Sequence, residues 1–166
     1  DLDENAKAEI GKKTKKGTIN INTNGALPDK FKKLCRAGLD SCRVSINSTQ
    51  KNRYESYYRP RGFHFEDVIK TIAIGKKEEQ FVSINLLTFP GVTDEKKEVM
   101  DLVKLIKETK INMIQLRNLN IDPYLYLKII GKVDNDAIGL FNFVKLLKSK
   151  FPKLKVGYFN LSKNKF

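Results

Sequence analysis

Residues 65–87 read FEDVIKTIAIGKKEEQFVSINLL, a helical pattern followed directly by a strand pattern. Apolar residues recur at helical spacing up to about residue 77, and β-branched and aromatic residues then cluster in residues 81–87. The same order of helix and strand is repeated on both sides of this stretch. Strands that alternate with helices of ten or more residues are typical of right-handed βαβ units, so we predict an α/β fold with a parallel sheet.

The predicted elements follow one another without a linker rich in proline, glycine or serine, which indicates a single domain over residues 1–166. We expect strands near 18–23, 41–47, 81–87, 111–116 and 156–160, and helices near 1–16, 28–37, 65–77, 94–110 and 137–150. A polar loop is expected after the second strand. The alternation leaves the architecture open between a doubly wound sheet and a barrel.

The chain is strongly basic, with 32 Lys and Arg residues against 19 Asp and Glu residues and a formal net charge of +13. This excess suggests an alternative function as a basic nucleic-acid-binding module without catalysis. The basic residues are mostly lysines spread along polar helix faces, so we favour a solvated surface. No stretch is long enough to cross a bilayer and no secretion signal is recognisable, which predicts a cytoplasmic protein without a membrane partner.

Familiar catalytic motifs are missing from the sequence. There is no P-loop, no G-x-S-x-G nucleophile motif and no glycine-rich dinucleotide fingerprint, and His64 is the only histidine. Cys35 and Cys42 are too few for a disulfide framework or a closed metal site, and we expect both to be small core residues. Acyl transfer and nucleotide hydrolysis therefore lack their usual groups.

Polar residues lie at or near the ends of the first four predicted strands. They are Thr23 and Asn24, Ser45 and Asn47, Asn85 and Thr88, and finally Gln115, Arg117, Asn118 and Asn120. Because ligands bind at the C-terminal ends of parallel strands, these amide and hydroxyl groups would hydrogen-bond a polar ligand such as a ribose or an amino-acid moiety. The alternative is that each residue caps a helix or satisfies the backbone of a turn.

Four arginines are further candidates. Arg53, Arg59, Arg61 and Arg117 stand near strand ends or in connecting loops, where a guanidinium can hold a carboxylate through two parallel hydrogen bonds. For Arg53 and Arg61 a solvated loop position is an equally open interpretation. Pro60 biases the backbone of Arg59 towards an extended conformation.

Several of these stretches resemble the radical S-adenosylmethionine (SAM) superfamily, whose members carry a T-N-G strand end and a G-L-D-x-x-R-V-S-L-[DN] strand. The matching segments are residues 23–25 (TNG), 38–47 (GLDSCRVSIN) and 57–60 (YYRP). Residues 83–94 (SINLLTFPGVTD) are similar to the superfamily's next strand and turn, and residues 114–123 (IQLRNLNIDP) resemble its last core strand. The resemblance covers residues 17–123 and leaves 124–166 as a helix-strand extension.

The resemblance implies a partial parallel β/α barrel in which SAM lies against a [4Fe-4S] cluster and is cleaved reductively to a 5′-deoxyadenosyl radical that abstracts hydrogen from a substrate. It implies that Ser45 and Arg59 contact the carboxylate end of SAM, that Asn47 and Thr23 lie near its ribose, and that Asn85 and Leu87 meet the sugar or adenine. Asn24 is also placed in the cofactor site. Gln115, Arg117 and Asn118 would face the substrate or the adenine side.

The chain departs from the superfamily in one respect that bears on activity. The superfamily's cluster ligands come from a C-x3-C-x2-C loop, and this sequence contains neither that motif nor the glycine-rich strand end that usually follows it. We therefore expect the cluster to be bound by residues outside this chain, which alone would be inactive. Another interpretation is a non-catalytic half-barrel that offers a sheet edge to a partner. The substrate and the oligomeric state are not predicted.

Overall fold

Five parallel strands form one sheet in the computed structural model, which describes residues 17–157. The strands are β1 (Asn20–Thr23), β2 (Ser41–Ile46), β3 (Phe81–Thr88), β4 (Met113–Asn118) and β5 (Lys155–Gly157), and they lie side by side in chain order. Every neighbouring pair is parallel. The predicted α/β class with a parallel sheet is confirmed. The predicted helix at 1–16 and the end of the predicted last strand lie outside the described residues.

Helices occupy the connections between the strands. They are α1 (Pro28–Arg36), α2 (Lys51–Tyr58), α3 (Phe65–Lys77), α4 (Lys96–Thr109), α5 (Pro123–Ile130) and α6 (Leu140–Lys150). Four of them agree with the predicted helices. A polar loop follows β2, as predicted, but it spans only residues 47–50 and leads into α2. Neither α2 nor α5 was predicted.

The helix ends have local causes in the sequence. Pro28 occupies the first turn of α1, where its missing N–H is not needed. The backbone N–H of His64 donates to the Asp67 carboxylate at 2.9 Å, which fixes the start of α3. Asp122 accepts from the backbone N–H of Leu125 at 2.8 Å and caps α5.

The two faces of the sheet differ sharply in polarity. One face carries fully buried apolar residues such as Val44, Ile84 and Ile114, which pack against helix residues that include Ile72 and Leu102. The other face, which we call the polar face, carries Asn20, Asn22, Ser41, Arg43, Ser45, Phe81, Ser83, Asn85, Leu87, Met113, Gln115, Arg117, Lys155 and Gly157. Within residues 17–157 the helices pack on the apolar face, which is the arrangement of a β/α barrel, whereas a doubly wound sheet has helices on both faces. The architecture that the sequence left open is therefore a partial barrel.

A glycine allows a close approach of α3 to the sheet. A Cβ atom on Gly75 of α3 would lie 2.8 Å from Cγ2 of Val82 on β3 and 3.4 Å from a ring carbon of Phe31 on α1. This position has no room for a side chain. The glycine thus sets how closely α3 packs on the apolar face.

Within residues 17–157, no helix has both the length and the apolar character that a membrane span requires. The prediction of a cytoplasmic location stays a prediction.

Candidate functional site

Three of the predicted site residues lie side by side on the polar face. Ser45 pairs with Asn85 on the next strand, and Asn85 pairs with Gln115 on the strand after that. Because directly opposed residues of a parallel sheet project to the same side, a hydroxyl and two amides form one row across three strands. The sheet register therefore brings together side chains that are 40 and 30 positions apart in sequence.

This row contains a buried hydrogen-bonding atom that lacks a partner. Oδ1 of Asn85 is inaccessible to solvent and accepts no hydrogen bond from any described residue. The adjacent Gln115 is 2% exposed, and its Nε2 contacts the sulfur of Met113 at 3.7 Å. A buried amide oxygen without a donor costs about 1–3 kcal/mol. A ligand or further protein that supplies a donor would recover that free energy.

Leu87 and Arg117 form the next row of the polar face, closer to the C-terminal ends of the strands. Leu87 is half-buried and packs into an apolar cluster around Tyr126 and Val92, which lies over the ends of β3 and β4. Arg117 is exposed. The structure thus places an apolar wall and a guanidinium beside the row of Ser45, Asn85 and Gln115.

The end of β1 is arranged differently. Thr23 pairs with the core residue Val44, so its side chain projects to the helix-covered face, and its hydroxyl accepts from the backbone N–H of Gly25 at 3.0 Å. Asn24 is exposed and accepts from the N–H of Ala26 at 3.1 Å. The structure does not bring Thr23 to the polar face, and both side chains satisfy the backbone of the turn.

Asn118, like Thr23, projects to the side of the sheet opposite the polar face. It pairs with Thr88 at the end of β3, one position beyond the Leu87–Arg117 row, so it alternates to the side opposite Arg117. Its side chain is exposed at the end of the strand. The predicted role of Asn118 towards the substrate stays a prediction.

Asn47 is buried at the point where β2 leads into α2, with 1% of its surface exposed. Its Nδ2 donates to the backbone carbonyl of Arg53 at 3.2 Å. Burial raises the pKa of Tyr126, and a hydrogen bond from Asn47 to its hydroxyl opposes that rise. Asn47 therefore connects the end of β2 to α2 and α5.

Arg59 closes α2 in the left-handed conformation, with φ of 47°, and is exposed. The extended conformation that Pro60 suggested for this residue is wrong, because the helix ends there through a turn that needs a positive φ. Arg59 lines a shallow cleft together with Glu55, Phe63 and His64. None of the residues lining this cleft belongs to the polar face, so the structure does not place Arg59 in the row of Ser45 and Asn85.

The structure corrects the interpretation of Arg53. The sequence left open a solvated loop position or a role in binding a carboxylate. Arg53 is 7% exposed within α2 and forms ion pairs with Glu95 and, at 3.8 Å, with Glu98. Burial alone would raise the pKa of Glu95, but the hydrogen bonds from Arg53 and from the backbone N–H of Asp134 outweigh it and lower the pKa. The carboxylate that Arg53 holds thus belongs to the protein itself.

Glu98 extends this buried cluster to the loop after β2. Its carboxylate accepts from the hydroxyls of Ser48 and Thr49, each at 2.6 Å, and from Nε2 of Gln50 at 3.2 Å. Sequence reasoning missed Glu95 and Glu98 because acidic residues at the start of a helix are usually exposed, and because both lie more than 40 residues from Arg53. The only local signal was the pair of acidic residues at the start of α4.

The cysteines do not form a cluster site. Burial raises the pKa of the Cys35 thiol to about 11 and that of Cys42 to about 12, and both side chains lie in the core on the helix-covered face. Iron-sulfur clusters are held by thiolates. Within residues 17–157, no group of three or more His, Cys, Asp or Glu side chains is arranged to hold a metal ion. The described residues therefore do not fit a [4Fe-4S] cluster.

Comparison of the sequence with known families gives one informative match. The model of the Radical SAM superfamily matches residues 1–103. The chain is 27% identical over 163 residues to a GTP 3′,8-cyclase of Clostridium botulinum, an alignment that covers 89% of this chain and 50% of that protein. A GTP 3′,8-cyclase of Lactiplantibacillus plantarum is 29% identical over 96 residues, with 57% of this chain and 28% of that protein covered. The chain spans about half the length of the curated relatives it matches.

Solved structures share the fold. Streptococcus suis SuiB superposes with a TM-score of 0.63 at 18% identity, over 95% of this chain and 36% of that one. Methylornithine synthase (PylB) gives a TM-score of 0.59 at 12% identity, over 92% of this chain and 43% of that one. These likenesses agree with the partial barrel described above. None of these matches supports the nucleic-acid-binding alternative. Because the family model covers more than half of the sequence, this chain belongs to the radical SAM superfamily.

Proposed function

We propose that this chain supplies part of the SAM-binding barrel of a radical SAM enzyme, and that the row of Ser45, Asn85 and Gln115 forms the floor of the SAM site. The observation that carries the proposal is the buried Oδ1 of Asn85, which has no donor among the described residues. It lies between a hydroxyl and a second amide in one register of three parallel strands. SAM offers ribose hydroxyls and an ammonium group, which are the donors that such an oxygen lacks.

The residues around this row have assigned tasks in the proposal. Ser45 contacts the amino-acid end of SAM, Asn85 accepts a hydrogen bond from its ribose or ammonium, and Leu87 supplies apolar contact for the sugar or adenine. Asn47 fixes the loop after β2 from its buried position and reaches the ribose through Oδ1, which also has no donor among the described residues. When bound beside a reduced cluster, SAM supplies the radical that abstracts hydrogen from a substrate.

The remaining predicted residues take more distant places. Arg117 and Gln115 face the substrate side of the polar face, with Asn118 at the edge of the strand. Arg59 reaches the carboxylate of SAM only from the cleft at the end of α2, so we rank its contribution below that of Ser45. Thr23 and Asn24 stabilise the turn after β1, and the backbone of this turn contacts SAM.

In this proposal, residues outside this chain bind the [4Fe-4S] cluster. Cys35 and Cys42 are buried on the wrong face, with thiol pKa values raised to about 11 and about 12, so neither supplies a thiolate at neutral pH. We propose that this chain alone has no radical SAM activity. Reconstitution of the 166-residue chain with iron and sulfide should give no stable thiolate-ligated cluster, and a stable cluster absorption would contradict this part of the proposal.

The SAM site is tested by affinity in the full gene product that contains this chain. Asn85→Ala removes the unpartnered oxygen and should weaken SAM binding about tenfold, as expected for one buried hydrogen bond of about 1.4 kcal/mol. Asn142→Ala, on the exposed surface of α6, is the matched control and should leave the dissociation constant unchanged. Isothermal titration with SAM measures both. An unchanged affinity in Asn85→Ala, with an unchanged fold by circular dichroism, would remove this residue from the site.

A further inference from the structure

The loop after β2 is held by a single carboxylate from another part of the chain. Glu98 lies on α4, is 2% exposed, and accepts hydrogen bonds from each residue between Ser48 and Gln50. Its Oε2 accepts from the hydroxyl of Ser48 at 2.6 Å, and its Oε1 accepts from the N–H and the hydroxyl of Thr49, at 2.5 and 2.6 Å. One side chain thus fixes three consecutive residues of this loop.

The loop uses the full hydrogen-bonding capacity of the Glu98 carboxylate. Two carboxylate oxygens offer about four acceptor sites. They receive four donors from the loop, of which the last is Nε2 of Gln50 at 3.2 Å. Arg53 lies 3.8 Å from Oε2 and supplies the opposite charge. Hydrogen bonds to an ionised group in a buried place are strong, so the loop has one strongly favoured conformation.

Asn47 joins this loop to β2, so the conformation of the loop directs its side chain. Its Nδ2 donates to the backbone carbonyl of Arg53 at 3.2 Å. Its Oδ1 is inaccessible to solvent and accepts no hydrogen bond from any described residue. Because a hydrogen bond weakens steeply when its angle departs from linearity, this oxygen can serve a ligand only if the adjacent residue, Ser48, is held in place.

The carbonyl that receives Nδ2 of Asn47 is itself held by the same buried cluster. Arg53 forms an ion pair with Glu95, and its Nη2 donates to the carbonyl of Lys132 at 3.2 Å. Glu95 in turn accepts from the N–H of Asp134 at 2.9 Å. Both anchors of the Asn47 amide, its own backbone and the Arg53 carbonyl, therefore depend on buried carboxylates of the segment that begins α4.

We propose that Glu98 is a positioning residue of the SAM site, which holds the loop at residues 47–50 so that Oδ1 of Asn47 accepts a hydrogen bond from a ribose hydroxyl of SAM. This inference rests on the proposed function, which assigns Asn47 to the ribose. Glu98 does not contact SAM, because the loop occupies its oxygens. It acts through Asn47, as a supporting residue acts on the residue that binds the ligand.

The test is a double-mutant cycle on SAM affinity in the full gene product, measured by isothermal titration. Glu98→Gln keeps the shape of the side chain but places an amide where the loop needs acceptors, and it should weaken SAM binding about tenfold. Asn47→Ala removes Oδ1 and should weaken binding by a similar factor. Because Glu98 acts through Asn47, the double variant should bind SAM as Asn47→Ala does, within about twofold.

Two controls separate positioning from a general loss of order. Glu108→Gln removes the same charge from an exposed position of the same helix and should leave the dissociation constant unchanged. Asn85 lies on β3, outside the loop, so in Glu98→Gln/Asn85→Ala the two single losses should multiply. If Glu98→Gln fails to fold, Thr49→Val takes its place, because it removes one donor and keeps the carboxylate; it should weaken SAM binding about threefold, and only where Asn47 is present.

The inference is refuted by an unchanged SAM affinity in Glu98→Gln, or by losses that multiply when Glu98→Gln is combined with Asn47→Ala. An unchanged affinity in Asn47→Ala removes the ribose contact and this inference with it. In each of these cases the row of Ser45, Asn85 and Gln115 stands if Asn85→Ala weakens SAM binding. Wild-type protein that binds no SAM refutes the proposed function instead.

Discussion

Replacing Arg53 with methionine should cost the protein a large part of its stability. Arg53, Glu95 and Glu98 are 7%, 2% and 2% exposed, so the substitution leaves two carboxylates in the interior without their cation. It also removes the hydrogen bond from Nη2 of Arg53 to the carbonyl of Lys132, at 3.2 Å. Breaking a buried ion pair by removing one partner costs about 3–5 kcal/mol. Against a typical total of about 5–15 kcal/mol, such a loss is severe.

Urea unfolding followed by circular dichroism at pH 7 measures the loss. Arg36→Met is the matched control, because the exposed Arg36–Glu78 pair, whose Arg36 side chain is 64% exposed, should contribute less than about 1 kcal/mol. The double variant Arg53→Met/Glu95→Gln removes the charge of one stranded carboxylate. It should therefore be more stable than Arg53→Met alone, with a coupling of about 1–3 kcal/mol between the two positions.

The loss should also depend on pH. Because the folded pKa of Glu95 is lowered, its contribution is present above the pKa of the unfolded chain, about 4.3, and is lost as pH falls through the folded value. In Arg53→Met the N–H of Asp134 still opposes the effect of burial, but the interactions with Arg53 are gone, so the pKa of Glu95 rises and the variant regains stability as this carboxylate is protonated. The difference between wild type and variant should thus narrow from pH 7 to pH 4. A loss below about 1 kcal/mol at pH 7, or a difference independent of pH, would refute this account of the cluster.

Three further predictions concern other parts of the molecule. Gly75→Ala should lower the melting temperature, because a Cβ only 2.8 Å from Val82 costs about 1–3 kcal/mol of overpacking and outweighs a helix-propensity gain of about 1 kcal/mol; an unchanged melting temperature would show that α3 can shift. Cys42 keeps its proton up to a pKa of about 12 in the folded state, so above pH 9 wild type should lose about 1.4 kcal/mol per pH unit more than Cys42→Ala in urea unfolding; parallel slopes would contradict this. Glu98→Gln should speed hydrogen exchange of the Thr49 N–H about tenfold, because that N–H donates to the Glu98 carboxylate at 2.5 Å, and equal exchange would exclude Glu98 as the anchor of the loop.

The elements with periodic apolar residues were predictable from the sequence. Helix α3 begins at Phe65 and ends at Lys77, as its pattern indicated, and β2 and β3 differ from their predicted ranges by one residue. The row of Ser45, Asn85 and Gln115 followed from the general placement of polar residues at strand ends. To predict that these three residues pair directly, one has to assume only that neighbouring parallel strands begin at the same level of the sheet.

Helix α2 and its buried arginine were not predictable in the same way. The sequence of α2, KNRYESYY, contains no aliphatic residue, and its stripe at helical spacing consists of the tyrosines Tyr54, Tyr57 and Tyr58. Its buried residues are Arg53 and Tyr54. Burying Arg53 depends on carboxylates from the start of α4, which only the folded chain brings near. The sequence of α2 alone therefore indicates an exposed polar segment, whereas in the folded protein the charge of Arg53 is buried and paired with carboxylates.

The alternation within the strands holds information that the order of elements does not. In a doubly wound sheet, helices cover both faces, and parallel strands read as nearly continuous apolar runs. Here β2 reads SCRVSI, with Cys42, Val44 and Ile46 buried against the helices and Ser41, Arg43 and Ser45 on the polar face. A parallel strand with this alternation needs helices on one side and a solvated or ligand-filled space on the other. The alternation within single strands thus agrees with an open partial barrel, and it supplies the polar groups that we assign to SAM.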